Sequence, residues 1–446
     1  MLAKFFKFSD CQTNFRQEAF AGITTFLTMA YIVFVQPAVL STDFLGHPTG
    51  IDPQAVLLAT CIASAFASMF MGIYANYPIA LAPGMGENFF FVSVVSALTA
   101  LGIANSWQVA LGIVFISGIL FLILSVLRLR EMIINALSPS LRNAIAVGIG
   151  LFITLIGFQN AQLVIAKPGT MIGMNTHFIT PAITVFATGI IVTAVLQIRK
   201  IRGAILWGIG ASSVVALFLG QIHYQGFWGL PKIQNPAVFQ MDIKTALSMA
   251  CWPFIFVFLF MVVFDTIGTL MGVAETAGFV KNNKIPRANR VLIVDAAGTV
   301  IGACLGTSTV TSYIESAAGV AYGGRTGFTS VIVGLLFLAA LFFSPLIGMI
   351  GHYPPITASA LIVVGLMMMS NITKIDWKDY SESLPAFLTI VGIPFCYSIA
   401  DGLALGFISY PMIKFLSGRG KTVKSLMYLM AGILLLYFIF VRGRIG

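Results

Sequence analysis

The 446 residues are 58% hydrophobic and only 9% charged, and the mean hydropathy is +0.97. A chain of this make-up has too few polar side chains to clothe a soluble globule, which leaves a polytopic membrane protein with no room for a sizeable soluble domain. The net charge of +10 does not point to a nucleic-acid partner, because the basic residues sit in short clusters between apolar windows, as the positive-inside rule expects of cytoplasmic loops.

The chain opens with MLAKFFKFSDCQTNFRQEAF, polar and mixed, which reads as a short amphipathic cytoplasmic helix and not as a cleavable leader. Apolar windows follow near 20–40, 54–74, 80–99, 107–127, 141–158, 181–198 and 203–221. A hydrocarbon core of about 30 Å needs about 20 residues per crossing, so each window predicts a helical span. The polar stretch HYQGFWGLPKIQNPAVFQMDIK separates this set from a second, near 246–273, 289–305, 308–322, 327–345, 355–370, 384–416 and 424–441. The window 384–416 holds Pro394, Asp401, Gly402 and Pro411 and reads either as one broken span or as a hairpin. With the N-terminus inside and one crossing per window, five basic clusters fall on the cytoplasmic side: Lys4, Lys7 and Arg16; Arg128 and Arg130; Arg199, Lys200 and Arg202; Lys281, Lys284, Arg287 and Arg290; and Lys374 with Lys378. The five cysteines, Cys11, Cys61, Cys251, Cys304 and Cys396, are odd in number and scattered, so neither a disulfide framework nor a metal knuckle is indicated.

Two sets of seven spans place the second half upside down relative to the first, the plan of many secondary transporters. The halves cover 1–222 and 246–446, joined by an extracytoplasmic connector at 223–245. A shift near 230 residues lays MGIYANYPIALAPGMGENF over IGACLGTSTVTSYIESAAG. Both have an apolar helix ending at a small residue, then a Pro-rich or hydroxyl-rich stretch, then a helix start carrying an acid. Matching interruptions in two halves point to a midplane binding site, and the polar run TSTVTSYIES at 307–316 reads as unwound backbone lining a cavity.

Few acids lie inside the spans. Asp265, in FVFLFMVVFDTIGTLMGVAETAGF, is expected to face a cavity, the bland alternative being a structural bond to Thr266 or Thr269. Glu315 precedes Ser316, Ala317, Ala318 and Gly319, where the dipole of a half-helix favours a carboxylate and small residues allow a ligand to approach; its bland alternative is a capping acid. Glu275 reads as a surface or interface acid, Asp295 as a link to the substrate or proton path or a structural bond, and Glu87 with Asn88 as the matching break of the first half, with Glu87 binding a proton or facing a water-filled vestibule. No G-x-x-x-x-G-K-[ST] or H-E-x-x-H motif occurs, so an ATP-driven pump or a metal enzyme is not expected, and no metal or other cofactor is called for.

APGMGENFFF, FDTIGTLMGVAETAGF and GTSTVTSYIESAAGVAYGGRTG resemble the signature blocks of the AzgA-like branch of the nucleobase cation symporters, the bacterial and fungal purine permeases. FAGITTFLTMAYIVFVQPAVL and LFFSPLIGMIGHYPPITASALIVVGLMMM extend the resemblance over nearly the whole chain. It implies an all-α membrane fold of about fourteen segments in two inverted repeats, of the uracil-permease type, with two short antiparallel strands at the substrate site. Core segments would occupy about 20–127 and 246–345, and gate segments about 131–222 and 355–446. By motif, Asp265 and Glu315 are the substrate acids and Asn88 the polar contact of the third segment, with Thr311, Ser312 and Phe89 beside them. The stretch TSTVTSY would be the second-half strand, its backbone satisfied by pairing and substrate. The family commonly reads APGMGLNA where this chain has Glu87 in place of the leucine and Phe89 to Phe91 after the asparagine.

The implied activity is import of a purine base, hypoxanthine, guanine or adenine, by proton symport across the cytoplasmic membrane. Glu315, Asp265, Glu87 and Asp295 are the proton-coupling candidates, and the fold admits a homodimer. A purine is flat, neutral and rich in ring N–H donors, which two carboxyl groups can hold by the edges while apolar side chains cover the faces. The alternatives are a carrier of the same fold for a pyrimidine, xanthine or an anion, and a channel. Two acids oppose an anion, with Arg325 read as cytoplasmic, and polarity concentrated at two broken segments opposes a channel.

Overall fold

The computed structural model describes residues 2–44, 46–127, 137–167, 169–279 and 285–440. Arg128, Arg130, Lys281 and Lys284 of the expected basic loops lie outside these residues, as does the side chain of Glu275.

The first half runs α1 (Phe15–Met29), α2 (Ile32–Ser41), α3 (Pro53–Phe70), β1 (Leu81–Pro83), α4 (Met85–Ala100), α5 (Ser106–Val126), α6 (Pro139–Asn160), β2 (Val164–Lys167), β3 (Met171–Met174), α7 (Pro181–Ile198) and α8 (Ala204–Phe218). The second runs α9 (Trp252–Thr276), α10 (Ala288–Leu305), β4 (Val310–Ser312), α11 (Ser316–Tyr322), α12 (Gly327–Ala340), α13 (Ser344–Gly351), α14 (Pro354–Met369), α15 (Tyr380–Phe395), α16 (Ile399–Leu416) and α17 (Ser425–Phe440). Among the described residues nine helical stretches are long and apolar enough to cross a membrane, and four shorter apolar helices accompany them. The architecture is thus a mostly helical, multi-pass membrane protein. Several spans begin at a capping side chain followed by proline: Asp52, Ser138 and Thr180 accept from the backbone N–H of Gln54, Leu141 and Ile183, and Pro53, Pro139 and Pro181 stand where a helix has no use for an N–H.

The expected windows recur with four changes, one being that 80–99 and 308–322 open as the strands β1 and β4 before their helices begin. The first span is interrupted at Ala30 and Tyr31, where Val33 and Phe34 donate to Ala30 and Tyr31 three residues back, and Pro37 removes a further donor. The window 384–416 is a helical hairpin: α15 and α16 pack side by side, joined by Cys396 to Ser398 with Tyr397 at φ +53°. A pair of strands absent from the sequence reading, β2 and β3, forms an antiparallel hairpin with Met171, Ile172 and Met174 exposed.

Helices pack in two groups. In the first, α12 lies on α1 and α3, α10 on α3 and α5, α9 on α5, and α11 on α1. In the second, α6 lies on α14 and α15, and α7 and α8 pack on each other and on α14. Small residues let backbones meet: a Cβ on Gly72 would strike the Gly327 carbonyl, and one on Gly365 the Gly150 carbonyl. The connector 223–245 is anchored, with the backbone N–H groups of Gln234 and Asn235 donating to Asp52, Phe239 N–H to Cys304 O at 2.7 Å, and Asp242 N–H to Gln108 O at 2.9 Å.

The open end of the α15–α16 hairpin is closed by charge, a feature the sequence reading did not single out. Buried Lys414 lies 2.8 Å from Glu382 Oε1 and 3.8 Å from Asp379 Oδ2, Arg419 lies 2.9 Å from Asp379, and Tyr410 donates to Glu382 at 3.1 Å. Hydrogen bonds from Ser381, aided by Lys414 and Arg419, hold the Asp379 carboxyl below the usual carboxylate range. Since its folded pKa lies below the unfolded one, the stability this group adds is present above about pH 4 and lost as the pH falls. Lys414→Met leaves the partly buried Glu382 without its cation and is expected to destabilise by about 1–3 kcal/mol. Adding Glu382→Leu should recover most of that loss; thermal unfolding in detergent would measure both.

Candidate functional site

The two interrupted segments meet inside the helical body. Strands β1 and β4 pair antiparallel in the register Leu81↔Ser312, Ala82↔Thr311 and Pro83↔Val310, and all six residues are buried. The pairing extends beyond the strands, through Tyr313 N–H to Ala80 O at 2.9 Å and Gly84 N–H to Thr309 O at 3.0 Å. Proline at position 83 has no donor and limits the ladder. Each strand is also held by a hydroxyl from the helix before it. Ser68 of α3 accepts from Leu81 N–H at 2.9 Å, and Thr299 of α10 donates to Val310 O at 3.1 Å. Ser316 accepts from Ala80 N–H at 3.0 Å. The hydroxyl-rich run therefore exists to satisfy unwound backbone within the membrane and to carry side chains to the site.

Around this pair the structure gathers the four expected acids: Glu87, Asp295 and Glu315 all lie within electrostatic reach of Asp265. They differ in access. Asp265 and Glu315 keep part of their surface open, whereas Asp295 is 0% and Glu87 3% exposed. Asp265 accepts from the Thr311 hydroxyl at 3.5 Å, and Glu315 Oε1 accepts from the Tyr31 hydroxyl at 2.9 Å. Thr266, weighed above as a partner for Asp265, bonds instead to Asp295 and lies 3.2 Å from the Thr311 hydroxyl. Ser312 donates to Asp295 Oδ1 at 2.8 Å. A hydroxyl chain, Thr311 then Thr266, thus joins the accessible Asp265 to the enclosed Asp295. Among the described residues no Lys, Arg or His lies within ion-pair distance of Asp265 or Glu315.

The other expected contacts are placed behind this front. Asn88 is fully buried, its amide N–H donating to Gln36 and its carbonyl oxygen accepting from Ser308. Gln36 in turn donates to Thr307 at 3.0 Å and Ser308 at 3.2 Å. These bonds tie α2 and α4 to the entrance of β4, so Asn88 stands as a brace of the site with both ends of its amide engaged. Thr311 is 0% and Ser312 2% exposed. Phe89, 2% exposed, stacks on Phe44 with centroids 6.4 Å apart and meets Phe152 edge-on at 6.3 Å, while Tyr397 packs against Phe44 and Phe152 at 5.6 and 5.3 Å. This aromatic cluster joins α4 to α6 and to the hairpin turn, across the two packing groups. Sequence reasoning missed Gln36, Tyr31 and Thr60, whose buried hydroxyl lies 3.4 Å from that of Thr307, although a glutamine beside Pro37 in an apolar window was a visible signal. It also missed Arg142, whose guanidinium lies 6.0 Å from the Phe264 ring centroid. Arg325 donates to the carbonyls of Val320 and Gly324 and takes no part in the acid cluster.

From Asp265 an accessible face continues along α9 at helical spacing through Gly268, Gly272 and Thr276, and no atom lies within 4 Å of where a Gly268 Cβ would be. The chain folds and concentrates polarity as a membrane carrier does, by interrupted segments crossing at one buried place. A family model described as a permease family, that of the xanthine/uracil permeases, matches residues 16–405, and the chain belongs to this family. It is 46% identical to a putative permease of Methanocaldococcus jannaschii over 99% of this chain and 98% of that one. It is also 42% identical to a guanine/hypoxanthine permease of Bacillus subtilis (98% and 99%) and 40% identical to an adenine permease of Escherichia coli (100% and 97%). The transmembrane domain of a cyanobacterial bicarbonate transporter shares the fold, with a TM-score of 0.64 at 16% identity, covering 87% of this chain and 96% of that one.

The open face along α9 can be tested by thiol labelling in a cysteine-free background. Gly268→Cys and Thr276→Cys are expected to react with a small hydrophilic maleimide, and Thr60→Cys and Ser312→Cys, both buried, to stay unlabelled.

Proposed function

We propose that the protein is a secondary active transporter that imports a purine base together with a proton across the cytoplasmic membrane, with its N-terminus inside. The observation that carries this reading is the pair of partly open carboxyl groups, Asp265 and Glu315, beside buried strands and, among the described residues, without a cation in ion-pair distance. Two such groups suit a neutral ligand that donates through ring N–H groups, and they repel an anion. The guanine/hypoxanthine and adenine permeases among the relatives favour a purine over a pyrimidine.

In this reading the base enters beside Asp265 and Glu315, which accept from its edge. A proton carried on Asp265 has a route to an enclosed acid through the chain Asp265, Thr311, Thr266, Asp295. No cofactor beyond the coupling proton is needed. The two helical groups act as core and gate: the accessible face of α9 is the cytoplasmic approach, and the aromatic contact of Phe44, Phe89, Phe152 and Tyr397 closes the opposite side.

Uptake of radiolabelled hypoxanthine, guanine and adenine in a bacterium lacking its own purine permeases tests this. Saturable uptake of at least one base is expected, abolished by a protonophore. Asp265→Asn and Glu315→Gln each remove a charge-assisted bond worth about 1.5–3 kcal/mol, so each should weaken apparent affinity about 10- to 100-fold. No purine uptake by correctly inserted protein would overturn the substrate, and pyrimidines and small anions would be tried next. In the coupling step, Asp295→Asn is expected to leave binding of the base within about threefold while accumulation against a gradient is lost. Proteoliposomes with an imposed pH gradient would show this, and accumulation unchanged in Asp295→Asn would remove the relay.

A further inference from the structure

We infer that Tyr31 is the internal partner of Glu315 in the empty site, and that its hydroxyl gives up the carboxyl oxygen to a ring N–H of the incoming base. The inference rests on the purine-transport reading above and assigns a positioning residue to it.

The break in the first span delivers this side chain. With α1 ending at Met29 and α2 beginning at Ile32, Tyr31 turns into the protein, 1% exposed, its hydroxyl donating to Glu315 Oε1 at 2.9 Å. Among the described residues it is the only side-chain donor on that carboxyl. The neighbouring phenol, Tyr313, is committed elsewhere, since its hydroxyl donates to Pro83 O at 2.5 Å. A half-open carboxyl with one internal donor has an obvious place for a ligand: the donor position itself. A phenol O–H and a purine ring N–H offer a carboxyl oxygen the same kind of bond, so the carboxyl stays satisfied through the exchange and the Tyr31 hydroxyl is the group that gives up its acceptor.

The rest of α1 shows why Tyr31 can report that exchange. At its other end Glu18, 0% exposed, accepts from Arg325 N–H at 2.9 Å, Thr326 N–H at 3.3 Å and the Thr329 hydroxyl at 2.6 Å. Gly319 of α11 has no room for a side chain against Ala21 and Thr25 of α1. The first span is therefore held against α11 and the start of α12, with a permanent anchor at Glu18 and an exchangeable one at Tyr31. Substrate arrival frees only the second.

Removing the hydroxyl and keeping the ring separates this role from packing. In Tyr31→Phe the empty site leaves Glu315 one donor short, whereas the occupied site is unchanged, so the base is expected to bind about three- to tenfold more tightly while the maximal uptake rate falls. A residue that merely packs, or one that touches the base directly, gives unchanged or weaker binding.

The experiment is equilibrium binding of hypoxanthine, guanine and adenine to purified wild type and Tyr31→Phe, with initial uptake rates alongside. Tighter binding with a lower maximal rate supports the inference. If wild type binds a base and the variant binds it equally or less well, the Tyr31 role is overturned and the transport reading stands. If wild type binds no purine, the transport reading falls and the Tyr31 role with it. Should Tyr31→Phe fail to insert, infrared difference spectra of wild type carrying ring-labelled tyrosine, with and without base, decide the point: a shifted tyrosine C–O band supports the exchange and an unshifted one overturns it.

Discussion

Lipid offers no hydrogen bonds to backbone, and this constraint shapes everything around the strand pair. Unwinding a span frees N–H and C=O groups whose exposure to hydrocarbon costs several kcal/mol each. Here the freed groups of one half are answered by those of the other: β1 meets β4, and Ala80 and Gly84 continue the ladder to Tyr313 and Thr309. Ser68 and Thr299, on the helices that precede the strands, complete the arrangement. The glycines where helices touch and the engaged amide of Asn88 serve the same end, since they keep the two unwound segments in register.

The site shows a division of labour by depth. Polar groups that hold the strands, Gln36, Asn88, Thr307 and Ser308, are turned inward and bonded to one another. Of the four acids, Asp265 and Glu315 keep part of their surface open, while Asp295 and Glu87 are enclosed. A buried network with its partners in place is rigid, which is what a recognition site needs behind its contact groups. The accessible pair is then free to change partners without loosening the scaffold.

Much of this was legible in the chain itself. The windows 54–74 and 181–198 recur almost residue for residue as helices, the first ending in a π-helical turn over Met71–Ala75, because long apolar runs bounded by caps and prolines have one reading. The four acids stood out because a carboxylate in an apolar span needs a reason. The strands came from resemblance and not from pattern, since three residues are too few to show an alternation of faces. The break at Tyr31 was hidden by its setting: tyrosine and glutamine in an apolar run look like tolerated exceptions until the partner, 284 residues away, is in view. The same holds for Lys414, whose acids lie on a neighbouring helix, and for the placement of Asn88, which no local signal could turn away from the cavity.

Because β1 and β4 belong to opposite halves of the chain, neither half is finished alone. During synthesis the first half emerges with Leu81 to Pro83 unpaired, and its partner, more than two hundred residues later in the sequence, is still to be made. The first seven segments must therefore wait at the membrane as an open template, sheltered by water, by lipid headgroups or by the insertion machinery, until Val310 to Ser312 arrive to close the ladder. Quality control thus has one late event to watch, and the pairing that builds the binding site is also the step that completes assembly.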